Sequence, residues 1–497
     1  MNATRQVIVI GGGLAGIAAA VRLAQAGVAV TLIETRKRLG GRATSFVDPT
    51  TGHVLDNCQH VLLGCCTNLI DLYEKLGVAD AIEWHRRLYF IGPPAGRHRA
   101  TDSSNGHGSH DEDVPWVIDE LEATDLAAPL HMTRPLMGFA TLSLAEKLMI
   151  ARGMLAVMRA GRQGREAADD ISFRDWLRQH HQSDSVIEKF WGVISISALN
   201  ELPERSSARY ALQVFQDGFL ANEQAYVMGL SRVPLVALYA QAERVIEQAG
   251  GRLMLGTGAA GFEFHARRVT GLRLSSGDTL RADAFISAVP FDRLAKLATA
   301  DMVAVDERLH HLDDLTVSPI LGIHLWFDQP VMELPHLIFM QSPLQWLFNK
   351  GMASPEHYGL PDAATIHHNV QHLHGVISAA HDLVDQPAER ISDLVAAEVK
   401  KALPAAAAAK LLHTRVVKEK RATFAVRPGA DRFRPAATGT IDNLYLAGDW
   451  CATGWPATME GAVRSGYLAA AALLGNTDSA IRDDLPDTPL YRLLAAR

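Results

Sequence analysis

Val7 to Ala20 read VIVIGGGLAGIAAA, and this stretch decides the fold. Val7 to Ile10 are four consecutive β-branched apolar residues, the pattern of a strand buried on both faces. Gly11, Gly13 and Gly16 follow in G-x-G-x-x-G spacing, and Leu14 to Leu23 continue as a small-residue helix. Each glycine has a physical task. Gly11 permits the tight turn, Gly13 lets backbone approach a pyrophosphate, and Gly16 lets helix and strand pack closely. The helix start offers unpaired N–H groups and a positive dipole end to phosphate. A second strand, Val28 to Ile33, ends in Glu34. An acid about 20 residues beyond the glycines is where ribose hydroxyls are met. It favours an unphosphorylated ribose, so FAD or NAD over NADP. A glycine-rich turn alone says little; the strand before it, the helix after it and the acid give it weight.

Working outward, Gly40–Gly41 make a second glycine turn in TRKRLGGRATSF, and Arg42 beside it can reach a diphosphate. NAD alone gives no reason for this element, whereas FAD is longer and lies extended. Near the other chain end, Ile441 to Ala470 read IDNLYLAGDWCATGWPATMEGAVRSGYLAA. Leu444 to Ala447 is a buried strand, Gly448–Asp449 ends it, and Met459 to Ala470 forms a helix. Asp449 is placed to accept from a ribityl hydroxyl. The helix start at Thr458–Met459 can face the flavin pyrimidine edge, where negative charge gathers on reduction. Centrally, Arg252 to Leu255, Gly261 to His265, Thr270 to Leu274 and Thr279 to Leu280 alternate around Ser276–Gly277–Asp278, and Ala284 to Val289 returns as a buried strand. The fold class expected is α/β, with a Rossmann-like, discontinuous FAD-binding domain assembled from residues 1–85, 233–300 and 421–475.

A chain of 497 residues has room for two or three domains. Residues 86–232 read as a helical, membrane-facing region and 301–420 as an inserted α+β substrate domain, with strands at Leu321 to Phe327 and His374 to Ala379; 476–497 form a tail. Net charge of −7 gives no reason to expect nucleic acid. Cys58, Cys65, Cys66 and Cys451 match no zinc spacing and read as reduced thiols of a cytosolic protein. The N-terminus enters a strand almost at once, without a basic-then-apolar signal segment, and no apolar run approaches the ~20 residues that span a bilayer. Thr101 to Asp113 (TDSSNGHGSHDED) reads as a solvent loop. Leu144, Leu148, Ile150, Met154, Leu155 and Met158 recur at near-helical spacing with Lys147, Arg152, Arg159 and Arg162 between them. Such a helix either lies on a membrane surface or buries its apolar face in a core.

The glycine motif with Glu34 and LGGRATSF, the central DAFISAVP and the C-terminal LAGDW…GWPATMEGA resemble the flavin amine oxidase and phytoene desaturase superfamily. Further blocks, among them LDNCQHVLLGCCTNLIDLYEKLG, ALNELPERSSARYALQV, SPILGIHLWFD and SPLQWLFNKG, narrow the resemblance to squalene-associated flavoenzymes, the hydroxysqualene dehydroxylases. It runs from Val7 to about Ala471. It implies that hydroxysqualene loses its allylic hydroxyl and gains hydride from reduced FAD, giving squalene. It also implies a cytoplasmic protein peripherally attached to the inner membrane. The family's cofactor positions fall on Gly11, Gly13, Leu14, Ala15, Gly16, Glu34, Arg42, Asp449 and Met459, with Gly41, Gly448 and Pro456 beside them. The adenine-contacting position, normally valine, falls at Ala259. No second dinucleotide motif is present, so an external electron donor is expected.

An allylic C–O bond breaks heterolytically when its oxygen is protonated and the cation sits in an apolar pocket. His60 and Asp56 are the candidates for that acid or its relay, because they lie in the polar block VLDNCQHVLLGCCTN; holding the loop or touching FAD is the plainer role for each. Trp326, Phe327, Trp346, Phe348, Phe215 and Phe219 are candidates for an apolar tunnel reaching the flavin and opening near the basic helix, or for plain core. His367, His368, His372 and His374 tempt a metal reading, but no cysteine or carboxylate joins them at ligand spacing, so no metal is expected. Three other activities stay open: desaturation of a carotenoid-like polyene, oxidation of a soluble amine, and lipid escort by a silent flavoprotein.

Overall fold

Gln6–Ile10 is the middle of a five-stranded parallel sheet, which explains its unbroken apolar run: Val7 to Ile10 are all buried. The computed structural model describes residues 6–96, 115–351, 370–476 and 480–495. The strand order is Arg252–Leu255, Ala29–Glu34, Gln6–Ile10, Ala284–Ser287, Leu444–Leu446. Both chain ends and the centre therefore feed one sheet, as expected. Arg252–Leu255 departs from expectation. It joins this sheet in parallel register, Arg252 opposite Thr31, because helix Gln241–Gln248 returns the chain to the sheet edge. The antiparallel meander consists of Ala259–His265, Arg268–Leu274 and Thr279–Leu280 alone.

Helix Leu14–Gln25 is buried nearly all round, which its alanines allow. One side meets the sheet and the other meets helix Met459–Leu474. A Cβ on Gly466 of that helix would overlap the Ala15 carbonyl oxygen and stand 2.9 Å from Ala18 Cβ. The two helices cross backbone to backbone.

A second, seven-stranded sheet runs Leu411–Phe424, Val317–Phe327, Gln371–Ser378, Trp346–Asn349, His336–Phe339, Arg87–Gly92, Val117–Glu122. The division into 86–232 and 301–420 does not follow this sheet, since strands of both segments pair within it. Helices pack against it. Asn200 ends helix Gly192–Leu199 in the left-handed conformation. Its amide binds the second sheet at Ser318 O (3.2 Å), Thr423 Oγ1 (2.9 Å) and the N–H of Ala379 (2.7 Å).

Helix Leu144–Ala167 opens with a capping box between Ser143 and Glu146. Its expected apolar face is split. Ile150 and Met158 are buried, whereas Leu144 and Leu148 stand 63% and 59% exposed. No helix among the described residues is long and apolar enough to cross a membrane. The four cysteines are free. The loop Thr101 to Asp113 and His367 and His368 lie outside the described residues.

Placing a methyl group where Gly466 meets Ala15 forces the two helices apart. Gly466→Ala is expected to lower stability by ~1–3 kcal/mol, the range for overpacking, checked as a fall in the denaturant midpoint; an unchanged midpoint contradicts the crossing.

Candidate active site

Two glycine turns face each other at the C-terminal edge of the parallel sheet. Gly11 has φ +106°, and a Cβ there would lie 2.9 Å from Ala288 O. A Cβ on Gly16 would overlap the Gly11 carbonyl oxygen. Gly13 is different: its added Cβ meets only Gly41 Cα, at 3.9 Å, so its open side faces the cleft. The second turn is tied to the first by Gly40 N–H donating to Gly12 O at 2.8 Å. Gly13 caps helix Leu14–Gln25 without a side chain, which leaves the first helical N–H groups for a ligand. The Glu34 carboxylate accepts from the N–H of Gly12 (2.7 Å) and of Arg36 (2.8 Å), fixing it beside the first turn.

From the other chain end come Gly448, Asp449, Pro456 and Met459, and from the meander Ala259. Met459 begins its helix beside Thr458, whose Oγ1 accepts from Gly461 N–H at 3.0 Å. Arg42 and Asp449, expected to meet a diphosphate and a ribityl chain separately, form an ion pair with each other. Arg42 also donates to Ala422 O at 3.0 Å. All the expected cofactor residues except Gly16 line one cleft of about 880 Å³, near the top of the ~300–1,000 Å³ range of ligand pockets. Gly16 acts by packing instead. The open glycine faces, uncapped helix start and fixed acid fit an extended adenine dinucleotide.

Beyond the cradle the cleft continues into an apolar lobe walled by Phe90, Val193, Phe219, Ile338, Trp346 and Phe348. Three of the expected tunnel aromatics are elsewhere. Phe215 is fully buried between Trp191, Phe173 and Phe190, while Trp326 and Phe327 lie farther along their strand, Trp326 stacked on His372. No described residue of helix Leu144–Ala167 lines the cleft, so the expected mouth beside the basic helix is not formed there. A link to it is Asp217, a lining residue whose carboxylate pairs with Arg165 of that helix at 2.9 Å.

His60 lines the cleft; Asp56 does not. Asp56 is turned away, with Oδ1 accepting from Ser45 Oγ (2.7 Å) and Leu235 N–H (3.0 Å) and Oδ2 3.4 Å from Lys350 Nζ. It holds the loop. Burial holds the His60 imidazole below its ordinary value, partly offset by its bond to the Cys58 carbonyl and by neighbouring carboxylates. That bond, Nδ1 to Cys58 O at 2.9 Å, requires a proton on Nδ1 because a carbonyl only accepts. The neutral ring then keeps its lone pair on Nε2. At neutral pH His60 is built as a base; acting as the expected acid requires it first to be charged.

His372 and His374 join His324 in a buried group. His324 Nε2 donates to Asp56 O at 3.1 Å, so its Nδ1 accepts from His372 Nε2 at 3.0 Å. Burial lowers His324 to about 4 and His372 and His374 well below their ordinary value. The chain of bonds ends on a carbonyl, so it binds loop to sheet and conducts no proton. Among the described residues no group of three or more such side chains could hold a metal ion.

Glu419, Gln213 and Asp217 also line the cleft and escaped the sequence reading. Glu419 accepts from Asn57 Nδ2 at 3.0 Å. In KEKRAT it reads as one charge among several; a register shift between Ser318 and Ile320 decides its position in the sheet. Gln213 and Asp217 share a helical run whose buried face no periodicity marks as a ligand site.

The fold and cleft define a flavoprotein. Residues 14–474 match the flavin containing amine oxidoreductase family, and the chain belongs to it. Its cofactor is FAD, and it is a flavin-dependent oxidoreductase. It is 27% identical over 486 residues to a 15-cis-phytoene desaturase from Synechococcus elongatus, covering 95% of this chain and 96% of that one. Identity to a zeta-carotene desaturase from a Synechocystis species is 26% over 496 residues, covering 95% and 97%. Among solved structures, an oxidoreductase from Methanosarcina mazei superposes with a TM-score of 0.67 at 17% identity, covering 95% of this chain and 100% of that one, a likeness of fold.

Because Gly16 sets the approach of helix to turn, Gly16→Ala is expected to yield folded protein that has lost most of its FAD, checked by visible flavin absorbance and by far-ultraviolet circular dichroism. Full retention of FAD contradicts the packing role.

Proposed function

We propose that this chain is an FAD-dependent oxidoreductase of long isoprenoid chains, with the substrate laid in the apolar lobe beside the cofactor cradle. The observation that carries the reading is one cleft running from the glycine turns to aromatic walls at Phe90, Trp346 and Phe348. Such walls suit a hydrocarbon better than a soluble amine. Bound FAD supplies hydride exchange with carbon. The named relatives support desaturation of a carotenoid-type polyene. In that direction the substrate gives up a hydride and a proton, and the His60 Nε2 lone pair suits the proton. A second reading is reductive removal of the allylic hydroxyl of hydroxysqualene. Blocks such as ALNELPERSSARYALQV support it, as do polar groups in the otherwise apolar lobe. There His60 must arrive charged to protonate the leaving hydroxyl, and an external donor must supply electrons.

Peripheral attachment to the cytoplasmic face of the inner membrane fits a substrate dissolved in lipid. Leu126, Leu130, Met137, Leu144 and Leu148 are exposed on one stretch of chain, with Arg134, Lys147 and Arg152 among them. Exposed apolar side chains among cations suit an anionic lipid surface.

The test is to incubate FAD-loaded protein with phytoene and an electron acceptor, and separately with hydroxysqualene under reducing conditions. Dehydrogenated polyene supports the first reading and squalene the second; amine-dependent peroxide with neither product overturns both. His60→Phe is expected to keep FAD and lose turnover by ~100-fold, within the range for general acid–base groups. The pH profile separates its roles. As a base, His60 gives a rate that rises with pH through its lowered pKa and then levels; as an acid, the rate falls over that window.

A further inference from the structure

We infer that Gln213 and Asp217 are the specificity-determining pair of the apolar lobe, set to hold one hydroxyl group of an otherwise hydrocarbon ligand. The inference rests on reading the lobe as an isoprenoid site. Both residues line the cleft, one turn apart on a single helical run. Helix Ala208–Phe215 widens there into a π-helical turn over Gln216–Leu220. Such turns often accompany functional sites.

Gln213 is 5% exposed, and among the described residues its side-chain amide has no hydrogen-bond partner. Its neighbour Gln216 shows the ordinary arrangement, donating to Val157 O (2.8 Å) and Gly161 O (3.2 Å). A glutamine amide carries two donors and an acceptor, and leaving them unmade against apolar walls is destabilising. Two other polar side chains that line the cleft are committed. Ser197 Oγ accepts from Trp346 Nε1 (2.7 Å) and donates to Val193 O (2.7 Å). Asn200 binds the second sheet.

Asp217 meets Arg165 through one guanidinium nitrogen, Nη1, 3.1 and 2.9 Å from its two oxygens, which leaves lone pairs on the carboxylate. Burial pushes its carboxyl above the ordinary value, Asp484 adds to this, and Arg165 and Arg162 oppose it. A hydroxyl satisfies both members at once: the Gln213 N–H donates to its oxygen and its own O–H is accepted by Asp217. A plain hydrocarbon satisfies neither. A cationic amine gains little, because Arg165 already neutralises Asp217.

The test uses the FAD-loaded protein titrated with hydroxysqualene and with squalene in detergent micelles, followed by perturbation of the flavin absorbance. Wild type is expected to prefer the alcohol by at least ~10-fold, since a site built for a hydroxyl discriminates strongly against its absence. Gln213→Leu is expected to abolish the preference while keeping FAD and squalene affinity, and Asp217→Asn, which leaves Arg165 a partner, to reduce it. Equal binding by wild type, or an intact preference in Gln213→Leu, overturns the assignment and leaves the isoprenoid reading standing. Binding of neither ligand to wild type overturns both.

Discussion

Backbone meets backbone at the heart of this protein with no side chain between. The Gly11 carbonyl lies where a Cβ of Gly16 would be, and the Ala15 carbonyl where a Cβ of Gly466 would be. The first helix is thereby clamped between the first strand and the last long helix. Its uncapped start is held at the mouth of the cleft, and the open face of Gly13 is left clear. Interiors are close-packed and yield little, so displacing this helix by the width of a methyl group displaces the free N–H groups at its start with it.

The same closeness joins chemistry supplied by distant parts of the chain. Arg42 follows the second glycine turn and Asp449 ends the last strand of the parallel sheet, yet they pair across the cleft. A partly buried ion pair, with Arg42 35% and Asp449 6% exposed, gives little net stability once desolvation is counted. Its effect here is to hold the two ends of the cradle in register. Asn200 plays the corresponding part for the lobe, tying helix to sheet so that the apolar walls stay in line with the cofactor groove.

Local signals carried far in this chain. The strand, glycine turn, helix and Glu34 are contiguous, and each is explained by residues within a few positions of it. The C-terminal strand and helix were legible for the same reason. Arg252–Leu255 was not, because a short alternating strand looks alike at the edge of a parallel sheet and in a meander. Asp56 and His60 sit in one polar block, and only the packed loop shows that one faces Ser45 and Lys350 while the other faces the cleft. Phe215 and Phe219 are one helical turn apart and part company likewise, one into the core and one into the lobe.

By itself, the sequence determined the dinucleotide cradle, since glycine spacing, an apolar strand and an acid at a strand end act over short range and tolerate few other meanings. It also determined that both chain ends serve that cradle. Tertiary structure alone decided which polar groups face the lobe. Gln213, Asp217 and Glu419 are ordinary polar residues on helix and strand, and their place in the lining of the cleft exists only once strands from both inserted segments close into one sheet.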